Sequence, residues 1–140
     1  MHKDTYPSLR ILIVDDIAVH RQLMVAGLNQ INPFLKIDDV ANINDARSAL
    51  LSGTHYEAVV CDRSMPGGDG TELVTWMRSM RCFDRIPFCM VSGHVDGESI
   101  IEAFMKFAVD AYIQKPFTYT DLHAKVMDAY SKRHQMVAAV

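Results

Sequence analysis

The sequence predicts a single α/β domain in which a doubly wound parallel sheet carries helices on both faces. Short apolar runs alternate with longer segments whose apolar residues recur every three or four positions, which is typical of alternating strands and helices. The runs are rich in β-branched and aromatic residues, as expected of strands buried on both faces. Five strand–helix units fit into the 140 residues, so we expect five strands and five helices in one domain over residues 1–140, with its core at about 9–130.

The five predicted strands differ in how clearly the sequence marks them. Four are short apolar runs, most of them ended by a turn or a charged residue, whereas the second along the chain is weaker. In chain order they are Arg10–Val14, Leu35–Ala41, Glu57–Cys61, Pro87–Val91 and Ala111–Gln114.

Helical spacing follows each predicted strand. We expect the recurring residues to face the core; they are Ile17, Arg21, Met24, Leu28 and Ile31; Ala46, Ala49 and Leu50 within Asn44–Leu51; Leu73, Trp76, Met77 and Met80; Ile100, Ile101, Phe104, Phe107 and Ala108; and Leu122, Val126, Ala129 and Tyr130.

Polar residues before these segments are candidate helix caps. Asn44, alone or with Ile43, is the candidate for the second helix, and Asp69 is the candidate for the third. Either Thr118 or Thr120 is expected to cap the fifth.

Composition narrows the class of protein. The formal charge of -3 gives no sign of a nucleic-acid-binding surface, which is normally strongly basic. No apolar run approaches the ~20 residues of a membrane span, and the polar start lacks a signal peptide. We therefore expect a cytoplasmic protein with no direct contact to nucleic acid or membrane. Its cysteines, Cys61, Cys82 and Cys89, are expected to be buried reduced thiols.

Reactive side chains follow the predicted strands at the point where each strand ends. Asp15 and Asp16 follow the first strand and Asp62 the third, while Ser92 and Lys115 follow the fourth and fifth. Ligands of an open parallel sheet bind beyond the carboxyl ends of its strands. If the first and third strands are neighbours, ~4.8 Å apart, their carboxylates would repel each other unless a divalent cation such as Mg²⁺ joined them. A carboxylate beside such an ion can attack phosphorus.

Four motifs carry a family resemblance. They are VDD at Val14–Asp16, DRSMPGGDG at Asp62–Gly70, SG at Ser92–Gly93 and YIQKPF at Tyr112–Phe117. Their order and spacing over Leu9–Tyr130 resemble the response-regulator receiver domain. The resemblance implies a flavodoxin-like sheet with strand order 2-1-3-4-5 and a phosphorylation-dependent signalling switch that performs no catalysis beyond its own phosphorylation and dephosphorylation.

The resemblance also implies a phosphoacceptor and a metal site. Asp62 would accept the phosphoryl group. Asp16 would bind Mg²⁺ directly together with Asp62 and the main-chain carbonyl of Ser64, and Asp15 would act largely through water.

Other residues would respond to the phosphoryl group. By resemblance, Ser92 and Lys115 would contact it, and Tyr112 would change its exposure when Ser92 is drawn inward. Three positions depart from the commonest pattern or vary in the family. Ala108 stands where many members have glycine, and His94, like Ser64, flanks the site and is expected to tune the lifetime of the phosphate.

The implied partners follow from this switch. A histidine kinase or a histidine phosphotransfer protein would donate the phosphoryl group. A downstream protein would then bind the face made by the fourth helix, fifth strand and fifth helix. Few residues follow the fifth helix, so we expect a stand-alone module, either a monomer or a weak dimer.

Three alternatives remain. An aspartate-nucleophile phosphatase usually needs a D-x-D motif, whereas Asp62 is followed by Arg63 and Ser64. A flavodoxin-shaped binding module would hold an anionic ligand at the same edge, which the acidic pair disfavours. A degenerate receiver that never accepts phosphate is the third. A serine hydrolase or a P-loop is not expected, because the G-x-S-x-G and G-K-[ST] patterns are missing.

Overall fold

The computed structural model describes residues 8–93 and 96–138, so His94 lies outside the described residues. The main strands are β1 (Arg10–Val14), β2 (Lys36–Val40), β3 (Ala58–Asp62), β4 (Phe88–Ser92) and β5 (Ala111–Gln114). The helices are α1 (Ala18–Ile31), α2 (Ile43–Leu51), α3 (Gly70–Ser79), α4 (Gly97–Met105) and α5 (Tyr119–Ala138). Within the described part of the chain, no helix is both long and apolar enough to cross a membrane.

The five strands form one parallel sheet in the order β2-β1-β3-β4-β5, which confirms the expected topology. The chain passes from β1 outward to β2 and then returns to the other side of β1 to begin β3. This reversal places the switch point between β1 and β3, where the register pairs Val14 with Cys61. The residues that follow these two strands therefore meet at one edge.

Two buried layers enclose the sheet, one on each face. Helices α2, α3 and α4 cover one face, where the side chains of Leu12, Val59 and Met90 belong to the same cluster as those of Leu73 and Met77 in α3. Helices α1 and α5 cover the other face, which Ile11, Ile13 and Val60 line from the sheet. Because strand residues alternate between these two layers, the sheet positions outside β2 are buried, except Arg10 at the start of β1 and Gln114 at the end of β5.

One helix cap differs from the sequence expectation, and two agree with it. The N-cap of α2 is Asn42, whose side chain accepts a hydrogen bond from Asp45 N at 2.7 Å. The prediction of Asn44 was wrong by two residues, because Ile43 and Asn44 already lie in the helix. Asp69 caps α3 as predicted, and Thr118 accepts a hydrogen bond from Asp121 N at the start of α5.

Helix α4 buries less of its apolar surface than the periodicity predicts. Ile101 is 63% exposed and Phe104 is 42% exposed, and the helix ends before Phe107 and Ala108. The prediction that this stripe faces the core was wrong for Ile101 and Phe104 and also for Ala108, which is exposed. Ile17, the expected first core residue of α1, is likewise 41% exposed.

The cysteines are free thiols, but only two are buried. Cys61 and Cys89 lie inside the two core layers, and burial raises the pKa of each thiol above its ordinary value. Cys82 is exposed in the loop before β4, so the prediction of burial was wrong there.

An ion-pair network fixes the end of β4 and β5 that is remote from the predicted site. Asp110 accepts hydrogen bonds from Arg78 at 2.9 Å, from Arg133 at 2.6 Å and from the backbone N–H of Phe88 at 2.8 Å. Arg78 also donates to the carbonyl of Ala108. One carboxylate thus joins α3, α5 and the start of β4.

Ala108 has a positive φ of 56°. This left-handed conformation costs a residue with a Cβ free energy that glycine avoids. The sequence places alanine here where many receiver-like sequences have glycine, and this alanine therefore occupies a strained turn between α4 and β5.

Candidate functional site

Three carboxylates meet at the carboxyl edge of the sheet. Asp15 and Asp16 follow β1 directly, and Asp62 is the last residue of β3. One oxygen from each lies within 4.8 Å of the others. Asp15 and Asp62 are only 1% and 7% exposed. The topology therefore brings together the acids that the sequence placed at this edge.

The backbone holds Asp15 in a fixed orientation. Its side chain accepts a hydrogen bond from Ile17 N at 2.9 Å, and its own N–H donates to Val40 O on β2. Burial raises the pKa of Asp15, the hydrogen bond from Ile17 opposes this, and the nearby charge of Asp62 raises the pKa further. The site thus gathers more negative charge than its protein surroundings compensate.

Lys115 supplies a cation to this cluster. Its Nζ donates to an oxygen of Asp62 at 3.0 Å, and its backbone N–H donates to Ser92 O at 2.8 Å. The peptide bond between Lys115 and Pro116 is cis. The ammonium group therefore reaches Asp62 from β5 across the intervening strand β4.

Ser92 ends β4 beside Asp62 and is 2% exposed. Gly93 follows it at an open position, where an added Cβ would meet no atom within 4 Å. In the ladder Tyr112 lies opposite Met90, and Ser92 lies opposite Gln114. Tyr112 is therefore on the same face as Ser92 but two residues nearer the middle of the sheet.

A short hairpin, made by Ser64–Met65 and Gly68–Asp69, follows Asp62. The sequence predicted a turn here but not the paired strands. Gly67 has a φ of 78°, as expected after proline in a tight turn. The hairpin holds the main chain of Ser64 two residues beyond Asp62.

Gly70 is a site residue that the sequence reasoning missed. Its N–H donates to Arg63 O at 2.7 Å, and an added Cβ would lie 2.7 Å from the carbonyl oxygen of Asp62. Only glycine lets the start of α3 pack this closely on the acceptor strand. In the sequence, Gly70 is marked only as the last glycine of the Gly67–Gly70 run, and such a run is equally typical of an ordinary turn.

Arg63 is the second residue that was missed. It directly follows Asp62, and its guanidinium group donates to Ser99 O and to Glu102 of α4. The sequence marked it only as a departure from D-x-D. No spacing rule connects it to a helix that lies 36 residues further along the chain.

Two grooves lie near opposite edges of the sheet. The groove beside the carboxylates has a volume of about 380 Å³, and its lining includes Asp15, His20, Leu23 and Lys115. A larger groove of about 580 Å³ opens beside Tyr130 of α5, away from the three acids. The smaller groove is the relevant one, because Asp15 and Lys115 border it.

Comparison with known proteins decides the family. The family model described as "Response regulator receiver domain" matches residues 11–127, which is most of the chain. This chain belongs to the response regulator receiver domain family. The general function of the family is a phosphorylation-dependent switch in two-component signalling.

Curated relatives and solved structures agree with this membership. The receiver is 31% identical over 121 residues to chemotaxis protein CheY-3 of Vibrio cholerae, covering 85% of this chain and 89% of the relative. It is 29% identical to chemotaxis protein CheY of Pseudomonas aeruginosa, covering 89% and 98%. The fold matches the structure of the chemotaxis response regulator CheY4 of Vibrio cholerae with a TM-score of 0.78 at 20% identity, covering 88% of this receiver and 99% of that chain.

Proposed function

We propose that this receiver accepts a phosphoryl group on Asp62 from a histidine kinase or a histidine phosphotransfer protein. The observation that carries the proposal is the convergence of three carboxylates and Lys115 at the switch point of the sheet. Of the three acids, Asp62 is the one in contact with Lys115, so its carboxylate is held in a fixed orientation.

The donor set at this edge fits a divalent cation. Mg²⁺ prefers oxygen ligands and binds a few carboxylates while it keeps several waters. Asp16 and Asp62 would hold the ion together with the main-chain carbonyl of Ser64, and Asp15 would act on it through water. When bound, the ion supplies positive charge that stabilises the equatorial oxygens of a transferring phosphoryl group.

The side chains of the receiver perform the remaining steps. An oxygen of Asp62 attacks the phosphorus of the donor phosphohistidine, forming the acyl phosphate as the bond to the histidine nitrogen breaks. Lys115 then moves its hydrogen bond from the carboxylate to the phosphoryl oxygens, and the Ser92 hydroxyl donates a further one. Tyr112, on the same face as Ser92, changes its exposure as Ser92 moves.

The phosphodonor is proposed to approach over α1 and the 380 Å³ groove. Val19 and Leu23 of α1 are more than half exposed, which provides an apolar rim beside the acids. A histidine presented from a donor helix packed on this rim would face Asp62 and Lys115.

The downstream partner is proposed to be a protein that packs on the face made by α4, β5 and α5. On α4, Ile101 and Met105 are 63% and 82% exposed, which leaves apolar surface for such a contact. Tyr112 of β5 lies beneath this face, so a change in its position alters the surface offered.

Labelling with a small phosphodonor tests the proposal. The chain is incubated with radiolabelled acetyl phosphate and Mg²⁺, beside Asp62→Asn and the matched control Asp69→Asn, which removes an acid of the same loop. We expect label on the parent and on the control and none on Asp62→Asn. Equal labelling of Asp62→Asn would remove Asp62 from the role, and steady release of phosphate from many small esters would favour a phosphatase instead.

A further inference from the structure

The backbone of Arg63 is fixed at both of its polar groups. Its N–H donates to Val91 O of β4 at 2.8 Å, and its carbonyl accepts from Gly70 N at 2.7 Å. The residue thus extends the central ladder by one position beyond Asp62. Its side chain starts from a rigid base immediately after the proposed phosphoacceptor.

From this base the side chain reaches across to α4. One guanidinium nitrogen donates to Ser99 O at 3.2 Å, and another donates to Glu102 Oε1 at 3.1 Å. The Arg63 side chain is 13% exposed, whereas that of Glu102 is 46% exposed. The contact therefore combines an ion pair with a charge-assisted hydrogen bond to the backbone, and both come from a largely buried donor.

Helix α4 has few other attachments. Along the whole described helix, Ala103 is the one fully buried residue, and large apolar side chains such as Ile101 and Met105 face outward. A helix with little buried apolar surface draws its stability from other contacts and belongs to the less stable parts of a fold. The contacts from Arg63 are consequently a large share of what positions α4.

The same guanidinium group neighbours Tyr112. Within the described residues, the Tyr112 hydroxyl is buried and makes no hydrogen bond. Burial lowers the pKa of Arg63, but the nearby Tyr112 hydroxyl and Glu102 more than offset this, so that the pKa is raised. The two groups are thus neighbours whose atoms do not meet hydrogen-bond geometry.

We infer that Arg63 is a positioning residue that tethers α4 to the end of β3 in the unphosphorylated receiver. A tether that joins the residue after Asp62 to the proposed output face makes the position of α4 depend on the state of the site. This consequence rests on the proposed function, whereas the tether itself does not. A switch needs contacts that differ between its states, and this one is made in the state described here.

Hydrogen–deuterium exchange of the unphosphorylated full chain tests the tether from both of its ends. Arg63→Met keeps the length of the side chain and removes the charge, and Glu102→Gln removes the charge at the α4 end. We expect each to speed exchange over residues 97–105 roughly tenfold, a factor equivalent to about 1.4 kcal/mol in opening free energy. Exchange over α3 stays unchanged.

Two controls separate a tether from general destabilisation. Arg10→Met breaks the 3.2 Å ion pair with Asp38 at the opposite end of the sheet and should leave exchange of α4 as in the parent. The double variant Arg63→Met/Glu102→Gln should exceed the effect of Arg63→Met only slightly, because Arg63→Met already removes the ion pair that Glu102→Gln breaks. Exchange of α4 at the parental rate in both single variants, or effects that add fully in the double variant, would overturn the inference.

A second comparison tests whether the tether takes part in the phosphorylation switch. After treatment with acetyl phosphate and Mg²⁺, we expect Glu102→Gln to be labelled like the parent but to show a smaller further change in exchange over α4, because the helix is already released. An equal further change in both chains would show that the tether plays no part in switching. If Asp62 takes no label in either chain, the proposed function fails, while the unphosphorylated exchange data still decide whether the tether exists.

Discussion

The substitution Gly70→Ala sets two physical effects of known size against each other. Alanine has the higher helix propensity, by up to about 1 kcal/mol in a helix interior and less at a first position. The added Cβ, however, would lie 2.7 Å from Asp62 O, where ordinary contact begins at 3.4 Å, so one of them must give way by about 0.7 Å. The obstructing atom is backbone, and Arg63 N–H and carbonyl anchor the chain next to it.

The steric effect should prevail. Forcing an extra methyl group into packed structure costs about 1–3 kcal/mol, so we expect Gly70→Ala to lower the free energy of unfolding by about 1–2 kcal/mol. The displaced carbonyl belongs to Asp62 itself, and misplacement of a reacting group by about 1 Å can cost roughly a hundredfold in rate. We therefore expect phosphorylation by acetyl phosphate to slow about tenfold or more.

Urea unfolding and labelling kinetics measure these two effects. Gly97→Ala is the matched control, because its Cβ would meet no atom within 4 Å at the first residue of α4. It should be as stable as the parent, or more stable by up to about 1 kcal/mol. Stability and labelling rate of Gly70→Ala equal to those of Gly97→Ala would refute the close-packing argument.

Three further predictions use the same unfolding assay. Ala108→Gly should stabilise the chain by a few tenths of a kcal/mol to about 1 kcal/mol, since relief of the positive φ exceeds the added chain entropy; a loss of stability would contradict this. Arg78→Met should lower the free energy of unfolding by roughly 3 kcal/mol, because it removes one of the two arginine partners of the largely buried Asp110 carboxylate. The exposed control Arg81→Met should lower it little, and equal losses in the two variants would contradict the role of the network. Without Mg²⁺, Asp15→Asn should be more stable than the parent at pH 7. Burial raises the folded-state pKa of Asp15, so ionisation costs stability as pH rises through that pKa, and the advantage should disappear towards pH 4; an advantage independent of pH would contradict it.

The sheet could be predicted because four of its five strands are short, nearly continuous apolar runs. β1 and β5 have the predicted bounds, and β3 and β4 are displaced by one residue toward their reactive ends. The strand order came from the family resemblance and not from periodicity. Because β3 and β4 end one residue later than predicted, Asp62 and Ser92 belong to the strands themselves, which hold them more rigidly than a loop would.

The failed expectations for α4 and α2 have separate physical causes. Periodicity shows that a helix is amphipathic but not whether anything covers its apolar face, and α4 leaves Ile101 exposed for that reason. The cap of α2 was misplaced because Asn42 and Asn44 are equally good caps by residue type, and only the hydrogen bond to Asp45 N distinguishes them.

The site was predictable where it depends on topology and not where it depends on packing. Asp15, Asp16 and Asp62 follow adjacent strands, so the strand order alone brings them together. Gly70 and Arg63 act through close contacts to the backbone of Asp62 and to α4. Such contacts depend on where helices settle on the sheet, which a pattern of residue types does not specify.

Intact-mass and peptide mass spectrometry of the chain after acetyl phosphate treatment, with Mg²⁺ or with a chelator, tests the account most directly. We expect one phosphoryl group on Asp62 when Mg²⁺ is present and almost none with the chelator, since the acids of β1 and β3 are close enough to bind one ion together. A phosphoryl group on another residue, or equal modification of Asp62 with the chelator, would contradict the account.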